Sequence, residues 1–378
     1  MPGFEIIDRK ERQAVDKLFK KEGSVLFAHG FEKLRKFYHI REFEEKIKRK
    51  TKAKYALALS SGTAAISVSL LALGVKPGDE VITQSFNFIA TAEAIESIGA
   101  KTVICDIDET LNMCPKDLKK KISKKTKAIV PVHMLGVSAR MDKIYKIAKS
   151  HSLLICEDVC EAFGGKYKNK SLGLIGDCGV LSFDFGKIIT TGEGGAIITN
   201  NKKIYTIAKE YHDHGHKNIT PKRGNDTANR FGFNFRMTEI QGIIGKVQLS
   251  KLDKIIRENK KRYLLLDKYL SRIFTIRKIP PESKSTYEAF ILIEKKSHIR
   301  KKIIKKLNNL KFGTKNLPDA IKWHCSYYWE RGLEKKQIKN SINGKNRLLN
   351  SIAIPIMLKR SLKDYQSLIK NIYHIKKI

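Results

Sequence analysis

Between Tyr55 and about Asn200 the chain alternates short apolar runs with helix-like stretches of ten or so residues. Tyr55–Leu59, Glu80–Thr83, Thr102–Cys105, Ala128–Val132 and Leu153–Cys156 read as strands, and Thr63–Leu73, Ala90–Ile98, Pro115–Ile122 and Met141–Ser150 read as helices. Strands separated by helices of that length pair in parallel through helical crossovers, which predicts an α/β architecture with a mostly parallel sheet covered on both faces. Lys76-Pro77-Gly78-Asp79 supplies turn chemistry between two of these units. Beyond Asn200 the pattern changes. Residues 218–229 are polar and bear Gly, Pro and Asp, which reads as a long functional loop. Met237 to about Phe274 has helical periodicity, Tyr287–Ile293 reads as a strand and Ile299–Leu310 as a basic helix. A large domain over residues 1–250 and a smaller α+β domain over 251–378 follow from that change.

Composition narrows the function classes. With 42% hydrophobic residues the chain can bury a core, so disorder as a whole is excluded. The 75 Lys and Arg against 38 Asp and Glu give a net charge of +37, which by itself suggests a lysine-rich nucleic-acid-binding protein. Its distribution argues for something else. Only 17 of the bases are Arg, and the lysines are spread along the chain without interleaved aromatics. A solvated lysine surface, or attraction of a small anionic substrate, accounts for this better, and no nucleic acid is expected as a partner. The six cysteines form no CxxC pair and no His/Cys zinc spacing, so reduced thiols and no metal are expected. The N-terminus has no apolar leader core, and no apolar run reaches the roughly 18 residues needed to span a bilayer. These features predict a cytoplasmic protein without a membrane partner.

Three segments carry chemistry. Ser60-Ser61-Gly62-Thr63-Ala64-Ala65 lies where a strand gives way to a helix at the ligand-binding edge of a parallel sheet. Free N–H groups, the helix dipole, Gly62 and the Thr63 hydroxyl suit a phosphate there, and an ordinary N-cap suits the same residues. Glu157-Asp158 directly follows an apolar strand. One carboxylate at that edge can hold a protonated heterocyclic nitrogen, or both can belong to a solvated loop or cap. In Ser182-Phe183-Asp184-Phe185-Gly186-Lys187-Ile188-Ile189 a single lysine is flanked by apolar residues and followed by a glycine-rich turn. Desolvation there is expected to lower the lysine's pKa and make it a Schiff-base nucleophile. A phosphate cradle, a carboxylate and such a lysine, in that order, compose the protein side of a pyridoxal 5′-phosphate (PLP) site.

These segments resemble the DegT/DnrJ/EryC1/StrS family of PLP-dependent sugar aminotransferases. The resemblance runs from about residue 25 to 255 and is carried by SSGTAA (60–65), PGDEVIT (77–83), FNFIATAEAI (86–95), Pro131-Val132-His133, EDVCEAFGG (157–165), SFDFGKIITTGEGGAIITN (182–200) and FNFRMTE (233–239). It implies an aspartate-aminotransferase-like PLP fold, with Lys187 as the Schiff-base lysine and catalytic residue. It further implies Asp158 on the pyridine nitrogen, Gly62, Thr63 and Ser182 on the phosphate, and Phe88 stacked on the ring. Asn234 would reach the phosphate from a neighbouring subunit, so the partner is a second copy in a homodimer with shared active sites. Glu161, also expected beside the cofactor, departs from the Gln or His usual in the family. Relatives that replace the lysine with His are dehydratases, and Lys187 argues against that branch.

Further segments resemble the branch that aminates the C8 aldehyde of an oxidised 3-deoxy-manno-octulosonate (Kdo) for lipopolysaccharide: MPGFE, HMLGVSARMDKI (133–144), DHGHKN (213–218), Asn234-Phe235-Arg236 and WHCSYYW (323–329). The resemblance thus implies an anionic sugar acid as acceptor and an amino acid, glutamate, as donor in a ping-pong transamination. A nucleotide-linked ketosugar is the alternative substrate. His214, Arg236 and His324 are the candidate substrate contacts. Of the cluster His212, His214 and His216, a loop at the site mouth is favoured over a metal site. His324 equally suits an aromatic packing cluster, and Arg236 a structural ion pair.

Overall fold

A computed structural model describes residues 2–21, 24–30, 33–35, 38–217 and 225–377. Among these residues, the central sheet has seven strands: β1 (Tyr55–Leu59), β2 (Glu80–Gln84), β3 (Lys101–Cys105), β4 (Thr126–Val130), β5 (Leu154–Asp158), β6 (Cys178–Ser182) and β7 (Gly195–Thr199). Their order is β1-β7-β6-β5-β4-β2-β3. The expected strands and crossover helices are present, with ends shifted by one or two residues. β7 breaks the parallel arrangement, because it runs antiparallel to both β1 and β6. No helix separates β6 from β7. A direct return of this kind yields an antiparallel neighbour, whereas a parallel one needs a longer crossover.

Both faces of the sheet are buried, and strand alternation distributes the side chains between two cores. Ala56, Ala58, Ile82, Ile129, Ile155, Leu181 and Ile198 join one core with Phe43, Ile144 and Leu252. Their neighbours Leu57, Leu59, Val81, Val130, Cys156, Val180 and Ile197 join the other, which the Gly62–Ala72, Ala90–Ser97 and Lys202–His212 helices cover.

The periodicity expected over 237–274 forms one helix of 32 residues, Glu239–Leu270. Residue 250, where the sequence places the domain boundary, lies inside it, because the helical pattern runs on without a break. The helix begins against the large sheet's supporting layer, where a Cβ on Gly245 would lie 2.6 Å from Phe43 Cζ. It ends by packing Tyr263, Leu266 and Leu270 against Phe290, Ile352 and Ile354. Those last residues belong to a small antiparallel sheet of Thr275–Ile276, Ala289–Ile293 and Ser351–Pro355. The basic Ser297–Asn309 helix buries Ile299, Ile303 and Leu307 in the same core and leaves Lys301, Lys302 and Lys305 at the surface.

β6 tolerates no side chain at its second position. A Cβ on Gly179 would lie 2.2 Å from Gly173 Cα, and Gly179 pairs with both Glu157 and Ile198. Gly179→Ala is therefore expected to cost about 3 kcal/mol or more. Urea unfolding followed by circular dichroism measures this, and an unchanged midpoint would contradict the packing described.

Candidate active site

The C-terminal ends of β1, β5 and β6 converge on one cavity of about 390 Å³, within the usual size of a ligand pocket. At the end of β1 the chain turns into the Gly62–Ala72 helix, which Ser61 caps by accepting a hydrogen bond from Ala64 N at 3.0 Å. The N–H groups of Gly62 and Thr63, one step earlier, precede the first intrahelical bonds and carry the positive end of the dipole. Both residues line the cavity. Gly62 is required by proximity: a Cβ there would lie 2.9 Å from Ser182 Cβ. The helix end and the end of β6 thus form one wall.

β5 separates its two acids. Glu157 is fully buried, and Oε1 accepts hydrogen bonds from Ile175 N and Gly176 N at 2.6 and 2.7 Å. Its Oε2 accepts from Gly173 N at 3.0 Å and from His133 Nε2 at 3.1 Å. His133 is the Nε2–H tautomer, since its Nδ1 accepts a hydrogen bond from Ala139 N at 3.0 Å. Glu157 is therefore a structural clamp. Asp158, one residue on, lines the cavity. Its Oδ2 accepts from Thr91 Oγ1 at 3.0 Å and its Oδ1 from Cys160 N at 3.0 Å.

After β6 the chain forms a tight turn in which Gly186 N donates to Asp184 Oδ1 at 2.9 Å and Lys187 N to Asp184 O at 3.0 Å. Lys187 points into the cavity, its Nζ 3.7 Å from Glu161 Oε1. The pKa of Lys187 reverses the sequence expectation. Burial alone would lower it, but Glu161, Cys160, Asp158 and Asp184 together hold it above the usual lysine range. Burial would raise the Glu161 carboxyl, and Lys187, Lys315 and His324 overcome that and bring it down to about 2.

His324 is buried and lines the cavity. Its ring packs against Phe88 with centroids 5.2 Å apart, and Nδ1 donates to Ala320 O at 2.9 Å. Burial lowers its pKa, against the opposing pull of Glu161. The ring packing that the sequence allows is present, and the same residue stands at the cavity wall. Sequence reasoning missed Thr91, Cys160, Lys315 and Asn316. Lys315 donates to Glu288 Oε2 at 2.7 Å, and both Lys315 and Asn316 line the cavity. No local pattern distinguishes Lys315 among so many lysines, because only the fold carries it to the site.

Asn234, Arg236 and His214 do not line this cavity. Asn234 and His214 are exposed. Arg236 pairs with Asp213 at 2.5 Å, the structural ion pair that the sequence allowed. The three clustered histidines share no strand face. His212 closes a helix, His214 sits at φ 51°, and His216 lies 3.5 Å from Asp226. Among the described residues no group of three or more His, Cys, Asp or Glu side chains is arranged to hold a metal. Residues 218–224 of the expected loop lie outside the described residues.

The model of the DegT/DnrJ/EryC1/StrS aminotransferase family matches residues 26–372. The chain belongs to that family. The chain is 37% identical over 256 residues to GDP-perosamine synthase of Escherichia coli O157:H7, covering 68% of each protein. It is 30% identical over 347 residues to the spore coat polysaccharide biosynthesis protein SpsC of Bacillus subtilis, covering 88% of this chain and 89% of that one. Among solved structures, an aminotransferase from Psychrobacter cryohalolentis superposes with a TM-score of 0.84 at 26% identity, covering 98% of this chain and 97% of that one. The enzyme is a PLP-dependent aminotransferase of sugar metabolism with the fold of that group.

One acid-sensitive group lies in the segment leading to Asp213. Burial lowers the His212 pKa to about 4, against about 6.5 in an unfolded chain. The unfolded state then binds the extra proton between those values, so this residue's contribution to stability is lost as pH falls from about 6.5 to 4. The loss is on the order of 3 kcal/mol. His212→Gln is expected to flatten that part of the pH–stability curve. Denaturant midpoints from pH 4 to 8 measure it, and parallel curves for the two proteins would refute the assignment.

Proposed function

We propose that the enzyme transfers an amino group from glutamate to the C8 aldehyde of an oxidised 3-deoxy-manno-octulosonate, for 8-amino-Kdo in lipopolysaccharide. The observation that carries the aminotransfer itself is the meeting of Lys187, Asp158 and the Gly62–Thr63 helix end in one cavity. Segments 133–144, 213–218, 234–236 and 323–329 support the sugar acid, and one of them supplies His324 to the cavity wall. The curated relatives support a second reading. Several are GDP-perosamine synthases, which favours a nucleotide-linked ketosugar as acceptor.

The cavity fits PLP in three respects: a helix end whose first residue leaves no room for a Cβ, a buried carboxylate and an inward lysine. When bound, PLP supplies an electron sink for negative charge at the donor Cα. Lys187 would hold the cofactor's aldehyde carbon and, once free, move the proton between the donor Cα and the cofactor's C4′. Asp158, oriented by Thr91, would keep a proton on the ring nitrogen. Gly62, Thr63 and Ser182 would bind the phosphate, and Phe88 would cover the ring. Glu161 would sit beside the cofactor through its contact with Lys187. Asn234 would act across a homodimer interface, which agrees with its exposure and its absence from this chain's own cavity. His324 is the strongest substrate contact. His214 and Arg236 would need the partner's cavity. A cytoplasmic location accords with six free thiols and with no described helix long and apolar enough to cross a membrane.

Borohydride treatment of the loaded enzyme, with peptide mapping, is expected to fix the cofactor on Lys187, and Lys187→Ala to abolish the label. Asp158→Ala should retain some cofactor but lose on the order of 100-fold or more in turnover. Full turnover would remove Asp158 from the proposed role. For the substrate, glutamate should bleach the visible band and the octulosonate aldehyde should restore it. Restoration only by a GDP-linked 4-ketosugar would select the second reading.

A further inference from the structure

Glu161 lines the cavity beside Lys187, and its surroundings give it a task. Both carboxylate oxygens are held: Oε2 by Leu135 N at 3.2 Å and Oε1 by Asn316 Nδ2 at 3.3 Å. The group is buried, and the same Oε1 lies 3.7 Å from Lys187 Nζ. A carboxylate fixed from two sides is a rigid point charge, and the lysine is the flexible member of the pair.

We infer that Glu161 is a positioning residue that anchors Lys187 as an ammonium ion in the cofactor-free enzyme and so sets how much neutral amine is available at a given pH. Other titratable groups face the same amine. Asp158 and Cys160 approach from the β5 side, and Asp184 and Glu193 from the turn after β6. Lys315, itself paired with Glu288, and His324 line the wall contributed by the smaller part. Among the described residues, only Glu161 lies within ion-pair distance of the Lys187 amine. The direction of the Lys187 pKa agrees with this order of importance. An amine must be neutral to act as a nucleophile, so Glu161 would restrain Lys187 until a ligand displaces the pair. Asn316 makes that restraint depend on the segment between the Ala289–Ile293 and Ser351–Pro355 strands, and therefore on both parts of the molecule.

The test reads the amine directly, without cofactor or sugar, so its failure is distinguishable from failure of the proposed substrate. Cofactor-stripped full-length protein is pulsed with acetic anhydride across a pH series, and Lys187 acetylation is quantified by peptide mass spectrometry against surface lysines in the same sample. In the unsubstituted protein Lys187 is expected to react later in pH than the surface lysines. Glu161→Gln, which keeps the shape and the Leu135 contact, should raise its labelling about tenfold or more at a given pH, equivalent to a shift of one pH unit. Glu161→Asp, which keeps the charge, should leave Lys187 closer to the unsubstituted protein than Gln does. The inference is overturned if Lys187 already titrates with the surface lysines, or if Gln leaves it unchanged. It is equally overturned if Asp shifts it as far as Gln, since lost packing rather than lost charge would then be the cause.

Discussion

In β5 the side chains of Glu157 and Asp158 leave the strand on opposite sides, and the site depends on that separation. Two adjacent carboxylates facing one buried space would repel, and one of them would take up a proton. Strand geometry prevents this by sending Glu157 into a cluster of three backbone N–H groups and His133. Those bonds hold the 173–176 segment to β5, and Gly173 in turn packs against Gly179 of β6. The strand that leads to Ser182 and Lys187 is thus registered to the strand that carries Asp158. A structural acid and one that lines the cavity occupy neighbouring positions because the backbone assigns them different surroundings.

The charge inside the cavity differs from the charge outside. The whole chain carries +37, yet the cavity lining holds Asp158, Glu161, Asp184 and Glu193 against Lys187 and Lys315. The basic exterior can raise the local concentration of anionic ligands, but it does not hold them once inside. In the proposed site that task would fall to fixed dipoles at the Gly62 helix end and to the few lysines whose positions are set by buried carboxylates. Total charge therefore says little about the site.

Much of the fold was legible because it rests on local signals. Strands β1 to β5 and their crossovers follow from apolar runs, turn residues and helical periodicity. Ser61-Gly62, Asp158 and Lys187 stand at positions where a strand ends, and such positions are visible in one dimension. β7 was hidden inside the Gly-rich string after Lys187, since its direction depends on which neighbour it joins. The boundary expected near residue 250 falls within the Glu239–Leu270 helix, because a helix can serve two cores in succession without any break in its pattern. The lysine's pKa was misread for a related reason: apolar sequence neighbours announce desolvation, but Glu161 lies 26 residues upstream and outweighs it.

The residues fall into two groups with different origins. Gly62, Asp158, Ser182 and Lys187 sit on or beside one sheet, whose strands fix their spacing through backbone hydrogen bonds. Lys315, Asn316 and His324 come from the segment between the Ala289–Ile293 and Ser351–Pro355 strands of the small sheet. Their placement depends on how the smaller part packs, through the Glu288–Lys315 pair and the Asn316–Glu161 bond. Changes in the smaller part can therefore alter the shape and charge of the acceptor side while the lysine, the carboxylate and the helix end keep their geometry. Glu161 is the point where the two groups touch, because it is bonded to Asn316 on one side and faces Lys187 on the other. On the role inferred for Glu161, a substitution there would act on reactivity and on acceptor fit together, so it would not behave as a simple change of either.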